Sequence, residues 1–528
     1  MARRVLLSSV FKPFGVDSIY SRRDSKIELY HNQLTKYQGA FSMRTFMNSY
    51  GLHAIANNVD TPADVLEFPS LARFRKEAQK GYDVVGIGSI LPNLQKVKRM
   101  VEEVRELSPR STVVVGGFCA NLPDLEKLME VDHLCVGEGI SFMRELLGEP
   151  PEFRFKNPDV FAESREVFGV PVIGVHNPHI IVGLGCSYGC DFCSPSHFFG
   201  RRHIKFYESG KDLFNEMLRV EKRFNSNLIC FIGDDNFLLD LNRAEELRRC
   251  VVESGRVFNL MIFGSADKAV EFGPRKLAEM GVGQLWIGRE SSLSSYRKNR
   301  GIDMKELVAE LRSYGIKTIL SSILLLDEHT KENIREDISE HIACRPAFSQ
   351  FAHYSPVPGT PLYDRLSEGG KILTAIPFEE WHAFKQPWFI HPEFTLQEAE
   401  AIQEEAYLRD FHELGPSLVR YIEAEYEGWK NLKDAPEPHL RARAEFFAGQ
   451  MRKYKAMLRA SESLAPNEKV REMTRELRGR IESDFGKSDV LEKSLGRGLW
   501  LTGRVREART RVFGDALQPP TRLFRYNH

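Results

Sequence analysis

The chain has 528 residues, of which 42% are apolar and 28% charged, so we expect two or three domains. Its 73 Lys and Arg residues balance 73 Asp and Glu residues, so its net charge does not favour nucleic acid and no nucleic-acid partner is required. The longest apolar runs, such as Thr318 to Leu326, are far shorter than the roughly 20 residues of a membrane span. The N-terminus lacks a secretory signal pattern, and we expect a cytoplasmic protein.

The first part of the chain alternates short β-rich runs with helical patterns, which predicts βαβ units and a parallel sheet with helices on both faces. One helix is expected over Leu94 to Leu107, where apolar residues recur at helical spacing. We therefore predict a doubly wound, Rossmann-like α/β domain over residues 1–175. Its predicted strands are Val5 to Val10, Leu52 to Asn57, Asp83 to Ile90, Thr112 to Gly117 and His133 to Val136.

A second β/α series follows, and its six units predict a partial (β/α)6 barrel over residues 176–376, with the working face at the carboxyl ends of the strands. Beyond about Pro377 the strand signal fades, and we expect a helical region over residues 377–528, with helices at Leu396 to Leu414, Pro416 to Leu432 and Glu437 to Leu464. The predicted barrel strands lie near Ile180 to Leu184, Leu228 to Ile232, Asn259 to Phe263, Gln284 to Ile287, Thr318 to Leu326 and Ser349 to Tyr354.

Three of the eight cysteines are clustered on a loop between a predicted strand and a helix: Cys186, Cys190 and Cys193. Three thiolates suit a [4Fe-4S] cluster and leave one iron open for a further ligand. Flanking Gly185 and Gly189 would let the loop curve around such a cluster. The alternative is a zinc knuckle, for which His197 is the only close fourth ligand. We expect the other five cysteines to be buried and unreactive.

The CxxxCxxC spacing of this triad resembles the signature of the radical S-adenosylmethionine (SAM) superfamily. The resemblance implies that the open iron chelates the amino and carboxylate groups of SAM, and that one electron then releases a 5′-deoxyadenosyl radical. Phe192 matches the aromatic residue that the family places beside the adenine. The resemblance also implies an electron donor such as flavodoxin or ferredoxin, and it leaves the catalytic side chains unknown.

Further segments match the superfamily in the expected order. Asp234 and Asp235 follow the second barrel strand, where relatives contact the SAM amino group, and Glu290 ends the fourth, where relatives contact the ribose. An Asp after a strand is also a common helix N-cap. Residues 356–363 resemble the PxPGTPLY segment of cobalamin-associated members. The sequence departs from common relatives at Leu326 to His329, where a Gly-Leu-Pro-Gly turn is usual.

The first domain resembles the B12-binding domain of class B radical SAM methylases. Candidate cobalamin-contacting residues are expected at the carboxyl ends of its parallel strands, the usual ligand crevice of an open sheet: Ser89, Gly116, Gly117, Gly137 and Gly139. The alternative is that these glycines only form tight turns. Ser8 to Gly15 lack the Asp-x-His-x-x-Gly motif that supplies a cobalt ligand, and Asp327-x-His329 lacks its glycine. Cobalamin, if bound, is therefore expected base-off; alternatively, the domain has lost the cofactor.

The resemblance implies cobalamin-dependent methylation of an unactivated carbon. The main alternative is a non-methylating radical enzyme that performs ring closure or carbon–carbon coupling. The triad argues against a mere B12 sensor or carrier. A methylthiotransferase is disfavoured because only Cys119 and Cys135 precede the triad. The substrate could be a small metabolite, a lipid or a peptide.

The end of the chain carries seven arginines interleaved with apolar residues. Such a basic amphipathic segment can lie on an anionic bilayer, which would suit a lipid substrate and make peripheral membrane contact possible. The alternative, which we favour from the sequence, is a helix that packs its apolar side on the barrel. The arginines are Arg497, Arg504, Arg506, Arg509, Arg511, Arg522 and Arg525.

Overall fold

A computed structural model describes residues 3–23, 29–30, 33–172, 175–224, 230–515 and 517–526. Over these residues the chain forms two large β-sheets with flanking helices, followed by a mostly helical region. In this part of the chain, no helix is both long and apolar enough to cross a bilayer. The predicted α/β architecture is confirmed.

The first sheet is built on strands that are nearly continuous apolar runs, because both of their faces are buried. Its strands β4, β1, β5, β6 and β7 are parallel neighbours in that order, and separate apolar clusters cover the two faces. These strands are β1 (Val5–Ser8), β4 (Ala63–Glu67), β5 (Val84–Gly88), β6 (Thr112–Gly116) and β7 (His133–Cys135). The strands β2 (Leu29–Tyr30) and β3 (Arg44–Met47) lie in the same part of the chain but belong to the second sheet. The helices are α1 (Tyr50–Asn58), α2 (Leu71–Ala78), α3 (Leu94–Leu107), α4 (Leu125–Leu128) and α5 (Gly139–Leu147).

One predicted strand of this domain is wrong. Leu52 to Asn57 lies inside helix α1, and the strand beside β1 is instead β4, which the sequence analysis missed. Five of the nine residues of α1 are buried, including His53 and Asn58, so the segment lacks the one-sided apolar stripe that identifies a surface helix. A short apolar run without that stripe cannot be assigned by periodicity alone.

The second sheet contains the predicted barrel. Strands β10, β13, β14, β15, β16 and β17 are parallel neighbours in that order, which gives six barrel strands. The strands of this part of the second sheet are β8 (Val160–Val167), β9 (Val170–Pro171), β10 (His176–Ile181), β13 (Cys230–Gly233), β14 (Leu260–Phe263), β15 (Val282–Glu290), β16 (Lys317–Leu324) and β17 (Phe348–His353). The strands β11 (Gly183–Leu184) and β12 (Ile204–Lys205) form a separate two-stranded sheet. The helices are α6 (Ser194–Phe198), α7 (Gly210–Phe224), α8 (Leu241–Ser254), α9 (Ala266–Phe272), α10 (Pro274–Glu279), α11 (Met304–Ser313), α12 (Ile334–Ala343) and α13 (Pro361–Glu368).

The start of the strand predicted from residue 228 falls outside the described residues, and its remainder lies in β13. On the β10 side, β8, β3 and β2 extend the barrel sheet through antiparallel pairs. Strand pairing therefore crosses the predicted boundary at residue 175, and the domain limits stay a prediction.

The last part of the chain is helical as predicted, with two differences. The helix expected over Glu437 to Leu464 is two helices, interrupted at Gly449 and Gln450, and the chain returns as strand β18, antiparallel to β4 in the first sheet. The elements are α14 (Leu396–Leu414), α15 (Ser417–Leu432), α16 (Pro438–Ala448), α17 (Met451–Ser463), α18 (Glu468–Phe485), α19 (Val490–Phe513) and β18 (Arg522–Tyr526).

The two sheets present their carboxyl-terminal edges to each other. Phe118, just after β6, makes an edge-to-face contact with Phe198 of α6, with ring centroids 5.0 Å apart. A Cβ added to Gly359 would lie 2.6 Å from Nδ2 of Asn121, so the PxPGTPLY segment closes against the first domain. The carboxyl ends of both sets of strands therefore border one interdomain space.

Candidate active site

The cysteine loop is shaped by hydrogen bonds of its backbone groups with one another and with the hydroxyl of Ser196. The N–H of Cys193 donates to the carbonyl oxygen of Cys190 at 3.0 Å. The hydroxyl of Ser196 donates to the carbonyl oxygen of Cys186 at 2.6 Å and accepts from the N–H of Gly189 at 3.2 Å. All three cysteines are half-buried and none forms a disulfide.

Gly185 connects the cysteine loop, through a hydrogen bond, to the end of the neighbouring barrel strand β13. Its φ is +79°, and a Cβ there would lie 2.3 Å from the carbonyl oxygen of Arg202, so a side chain does not fit. Its N–H donates to Oδ2 of Asp235 at 2.5 Å. The loop is thereby held against the carboxyl end of β13.

A lysine that the sequence analysis missed lies beside the triad. Burial raises the pKa of all three thiols, to about 12 for Cys193, and the ammonium of Lys298 acts in the opposite direction on each of them. Lys298 forms an ion pair with Glu290, and its Nζ lies 5.9 Å from the ring centroid of Phe192. A cation here favours the thiolate form that iron needs. Nothing in the sequence distinguishes this lysine from other loop lysines.

The donor set fits an iron–sulfur cluster, because three thiols on a curved loop lie beside one cation. Among the described residues, no group of three His, Cys, Asp or Glu side chains is close enough together to bind a single metal ion. A [4Fe-4S] cluster does not require that arrangement, because each thiolate binds a different iron.

Phe192 and Asp191 fix the loop to the far side of the barrel. The ring of Phe192 makes edge-to-face contacts with Tyr296 and Tyr354, at centroid distances of 5.2 and 6.2 Å. The hydroxyls of the same two tyrosines donate to Asp191, at 2.8 and 2.7 Å. Phe192 is thereby held in place at the mouth of the barrel, where the sequence analysis expects the adenine.

The adjacent aspartates after β13 have different surroundings. Asp234 is buried; it accepts a hydrogen bond from Arg243 at 2.8 Å, and Nε2 of His203 lies 3.0 Å from both of its oxygens. Asp235 is solvent-accessible, although protein atoms crowd around it, and its side chain has no cationic partner among the described residues. The expected contact with the SAM amino group is thus open to Asp235, while the oxygens of Asp234 are already engaged.

Burial alone would raise the pKa of Asp234, but the hydrogen bonds and charges of His203 and Arg243 outweigh it and lower the pKa. For Asp235 the crowding of protein atoms dominates, only partly offset by the N–H of Gly185, and raises the pKa to about 6. Of the two carboxyl groups, only Asp235 titrates near neutrality.

The departure at Leu326 to His329 has a structural explanation. His329 is fully buried; its Nδ1 accepts from the N–H of Leu326 at 3.0 Å, and its Nε2 lies 3.2 Å from Oδ2 of Asp337. Asp337 in turn accepts from Arg289 at 2.8 Å, the residue before Glu290. A hydrogen-bonded network of His329, Asp337 and Arg289 thus shapes this turn and supports the end of β15.

Four rings form a continuous arc on the inner wall of the barrel. Their centroids are 4.9 Å apart for His179 and Phe231, 5.5 Å for Phe231 and Phe263, and 5.0 Å for Phe263 and Trp286. Alternate residues of the same strands, such as Ile180, pack outward under the helices, so the rings face the interior. Burial lowers the pKa of His179 to about 3, so this arc is uncharged at neutral pH.

The arc ends in a neutral polar pair. Nε1 of Trp286 donates to Oγ of Ser321 at 2.6 Å, and Ser321 donates to Oε1 of Gln350 at 2.7 Å. Trp286, Ser321 and Gln350 are only half-buried, so they border open space within the barrel. The sequence analysis missed both the arc and this pair, because their strands read only as short β-rich runs.

The structure brings Ser89, Gly116 and Gly117 together in the first domain. The N–H of Ser89 donates to the carbonyl oxygen of Gly116 at 3.0 Å, and a Cβ on Gly117, whose φ is +82°, would lie 2.3 Å from the carbonyl oxygen of Ser89. Gly137 has a φ of +93° and faces Phe198 of the barrel domain, while Gly139 packs on Ile55. Small residues therefore line the crevice where the cobalamin contacts are expected.

The loop after β1, where many B12 proteins carry a histidine, is covered by the end of the chain. The N–H of Phe14 donates to Oε1 of Gln518 at 2.8 Å, and Nε2 of Gln518 donates back to the carbonyl oxygen of Phe14 at 2.9 Å. Lys12 donates to the carbonyl oxygen of Pro519 at 3.3 Å. Gln518 thus binds the backbone of a loop that contains no histidine.

Comparison with known proteins identifies the barrel. Residues 180–340 match the family model described as the radical SAM superfamily. The chain is 21% identical over 393 residues to an uncharacterized methyltransferase of Pyrococcus horikoshii, covering 66% of this chain and 83% of the relative. It is 22% identical over 335 residues to the bacteriochlorophyllide d C-8(2)-methyltransferase of Chlorobaculum tepidum, covering 57% of this chain and 71% of the relative.

The fold also matches solved structures of the radical SAM methyltransferase TsrM from Kitasatospora setae. One, with cobalamin and a [4Fe-4S] cluster bound, aligns with a TM-score of 0.55 at 17% identity over 85% of this chain and 99% of that chain. Another, with tryptophan and a SAM analogue bound, aligns with a TM-score of 0.52 at 16% identity over 97% of this chain and 99% of that chain. At these identities the likeness shows a shared fold.

Proposed function

We propose that the chain is a cobalamin-dependent radical SAM methyltransferase that methylates an unactivated carbon, because residues 180–340 match the radical SAM superfamily model. The observation that carries the proposal is the shared interdomain space, bordered by the cysteine loop on one side and by the glycine-lined crevice on the other. The similarity to two methyltransferases supports methyl transfer.

Each group of residues has a definite part in this proposal. When bound, the cluster supplies the electron that cleaves SAM, and cobalamin supplies the methyl group. Cys186, Cys190 and Cys193 hold the cluster, and Lys298 keeps their thiolates favoured. Phe192 faces the adenine, and Asp235 attracts the ammonium group of SAM. Glu290, paired with Lys298, orients that lysine and borders the ribose. In the first domain, the turn at Ser89, Gly116 and Gly117 would let a corrinoid approach the backbone.

The barrel interior supports a small-molecule substrate whose reacting part is uncharged. The arc of four rings offers apolar faces, and Ser321 and Gln350 offer neutral hydrogen-bonding groups beside it. The arc and the polar pair themselves carry no charge at neutral pH, so a charged substrate group packed directly against them would be desolvated at a cost. We propose that the electron comes from a cytoplasmic donor such as flavodoxin or ferredoxin.

The triad is tested by Cys190→Ala, with Cys250→Ala as the matched control because Cys250 is a half-buried cysteine on α8, outside the proposed site. After anaerobic reconstitution, we expect Cys190→Ala to lose the visible absorbance of the cluster and the formation of 5′-deoxyadenosine, while the control keeps both. Cleavage of SAM by Cys190→Ala at the wild-type rate would refute the assignment.

Methyl transfer is tested by the products. In the proposed reaction one SAM would donate the methyl group and a second would be cleaved to the radical, so S-adenosylhomocysteine and 5′-deoxyadenosine should accumulate in comparable amounts in the presence of substrate. The bound corrinoid should have a base-off absorption spectrum. Deoxyadenosine alone, from a protein that binds no corrinoid, would instead support a non-methylating radical enzyme.

A further inference from the structure

Helix α19 exposes an unusual amount of apolar surface. Of the seventeen large hydrophobic side chains that are exposed in the described part of the chain, eight lie on this single helix. Four of them are at least 60% exposed. Isolated exposed hydrophobic residues are normal, but a concentration on one element indicates an interaction site. The eight are Val490, Leu491, Leu495, Trp500, Leu501, Val505, Val512 and Phe513.

The face of α19 that packs on the protein is made mostly of small and polar residues, with Leu499 partly buried against a neighbouring apolar cluster. A Cβ on Gly496 would lie 3.0 Å from the carbonyl oxygen of Ala456, and one on Gly503 would lie 3.0 Å from the side chain of Leu464. Arg506, also buried, donates to the carbonyl oxygens of residues 40 and 42, at 2.9 and 2.8 Å. The expectation that this helix packs its apolar side on the barrel is therefore wrong, because glycines bring its backbone close and leave the apolar side outside.

The exposed side has an ordered pattern. Successive residues of an α-helix are rotated by about 100°, so residues four, seven or eleven apart lie on one face. Val490, Leu501, Val505 and Val512 follow these intervals and form a stripe opposite Gly496 and Gly503. We call this the apolar stripe.

A row of cations borders the apolar stripe. Lys493, Arg497, Arg504 and Arg511 recur at intervals of four and seven residues on its flank, and all four are exposed. Nη1 of Arg504 lies 3.4 Å from Oε2 of Glu507. The other three cations form no ion pair with an acidic side chain in the part of the chain that the structure describes. The exposed side of the helix is thus apolar at its centre and positive at its edge.

We propose that α19 is an interfacial helix that docks the protein on an anionic bilayer. A helix lying in the plane of the membrane inserts its apolar side roughly 5–10 Å and places its cations among the headgroups. Negative headgroups complement the basic row. A second copy of this chain fits less well, because pairing two apolar stripes would bring two basic rows together.

Docking on a bilayer has a consequence for the substrate. It would bring the uncharged interior of the barrel to molecules dissolved in the membrane, which favours a lipid or lipid-soluble substrate. That consequence rests on the proposed function, whereas docking itself does not. The two are separable, because vesicle binding needs neither cluster nor cobalamin.

The experiment uses the full chain, because α19 is followed by a segment that ends in β18 of the first sheet, and removing the tail would strip a strand from that sheet. Flotation is measured in low salt with phosphatidylglycerol vesicles and with phosphatidylcholine vesicles. The test variants are L501S/V505S/V512S and R497Q/R504Q/R511Q, all at exposed positions. The control V270S/R110Q changes an exposed valine and an exposed arginine elsewhere.

We expect the wild type and the control to float with phosphatidylglycerol vesicles and to bind phosphatidylcholine far more weakly. Removing three cations should weaken binding roughly 100-fold in low salt, and removing the stripe should abolish flotation. SAM cleavage in the absence of vesicles should be unchanged in all variants. A wild type that stays in solution would overturn the proposal. A dimer in sedimentation equilibrium that L501S/V505S/V512S converts to a monomer, without any vesicle binding, would assign the stripe to a second copy.

Discussion

Neighbouring carboxylates after β13 illustrate how little a motif says about the environment of its residues. The sequence presents Asp234 and Asp235 as equivalent candidates for the SAM amino group. The structure engages both oxygens of Asp234 with Arg243 and His203, whereas Asp235 keeps solvent access. Asp234 is therefore suited to hold Arg243 and His203 in place, and Asp235 to contact a ligand.

Replacing Asp234 by Asn should destabilise the barrel. Asp234 and Arg243 are both fully buried, and removal of one charge would leave the guanidinium without its counterion. Breaking such a pair typically costs about 3–5 kcal/mol of unfolding free energy. Denaturant unfolding measures the loss, and Asp364→Asn, at a surface position of α13, is the control. Equal stabilities of the two variants would show that the pair contributes nothing.

Replacing Asp235 by Asn should change the pH dependence of SAM binding and leave the fold intact. Because the pKa of Asp235 is raised to about 6, its carboxyl group becomes neutral as the pH falls through that value and then no longer attracts an ammonium. Wild-type affinity for SAM should therefore fall on acidification through about pH 6, and the affinity of Asp235→Asn should be weak and flat over that range. Isothermal titration with reconstituted protein measures both profiles, and parallel profiles would contradict this role.

Asp235→Asn should also change the stability of the folded protein in a predictable direction. The pKa of Asp235 is higher in the folded protein than in an unfolded chain, so its ionisation disfavours the folded state as the pH rises. Asp235→Asn removes that effect and should be slightly stabilising above pH 6. A loss of stability would indicate that the hydrogen bond from Gly185 outweighs the charge.

Side chains of the site divide into those that spacing reveals and those that only folding brings together. Cys186, Cys190 and Cys193 are close in sequence, so their spacing alone predicts a shared ligand. Lys298 reaches them from a loop more than a hundred residues away, and nothing local marks it. The ring arc likewise needs four separate strands to form.

At the scale of elements, periodicity predicts best where one face is buried. The bounds of α3 and α14 agree with the sequence prediction, since each has a regular apolar pattern and a clear end. Helix α1 is buried on several sides and reads as a strand, while β18 contains two arginines and reads as part of a helical tail. Burial in these two elements is decided by partners that are distant in sequence.

The turn between β6 and the following residues provides a test of the crevice. Gly117→Ala places a Cβ where the carbonyl oxygen of Ser89 lies, whereas Gly148→Ala, at a similar positive φ, meets nothing within 4 Å. Both changes strain the backbone, by roughly 1 kcal/mol or more, but only the first displaces the crevice. We expect Gly117→Ala to lose bound corrinoid and Gly148→Ala to retain it. Corrinoid content after reconstitution decides, and equal content in both variants would place the corrinoid elsewhere.

At the scale of the whole molecule, each of the two sheets contains strands from a distant part of the chain. Strands β2 and β3 leave the first domain to extend the barrel sheet, and β18 returns from the end of the chain to pair with β4. Such pairings couple the domains and hold their carboxyl edges in one orientation. Local sequence patterns contain no information on partners so far apart, which is why the sequence analysis gave three successive ranges.

Because the two domains are coupled, we predict that one substitution at their contact can impair methyl transfer without impairing SAM cleavage. Phe118 of the first domain contacts Phe198, five residues after the last cysteine of the triad. Phe118→Ala removes the ring that spaces the crevice from the cysteine loop and leaves the three cysteines and the glycines of the crevice unchanged. A misplacement of about 1 Å between reacting groups can cost a factor of 100 in rate. We expect the cluster, the corrinoid and SAM cleavage to persist, while the ratio of methylated product to 5′-deoxyadenosine falls at least about tenfold. The control Leu128→Ala, at an exposed position of the same domain, should leave the ratio unchanged. An unchanged ratio in Phe118→Ala would mean that the two sites do not depend on this contact for their alignment.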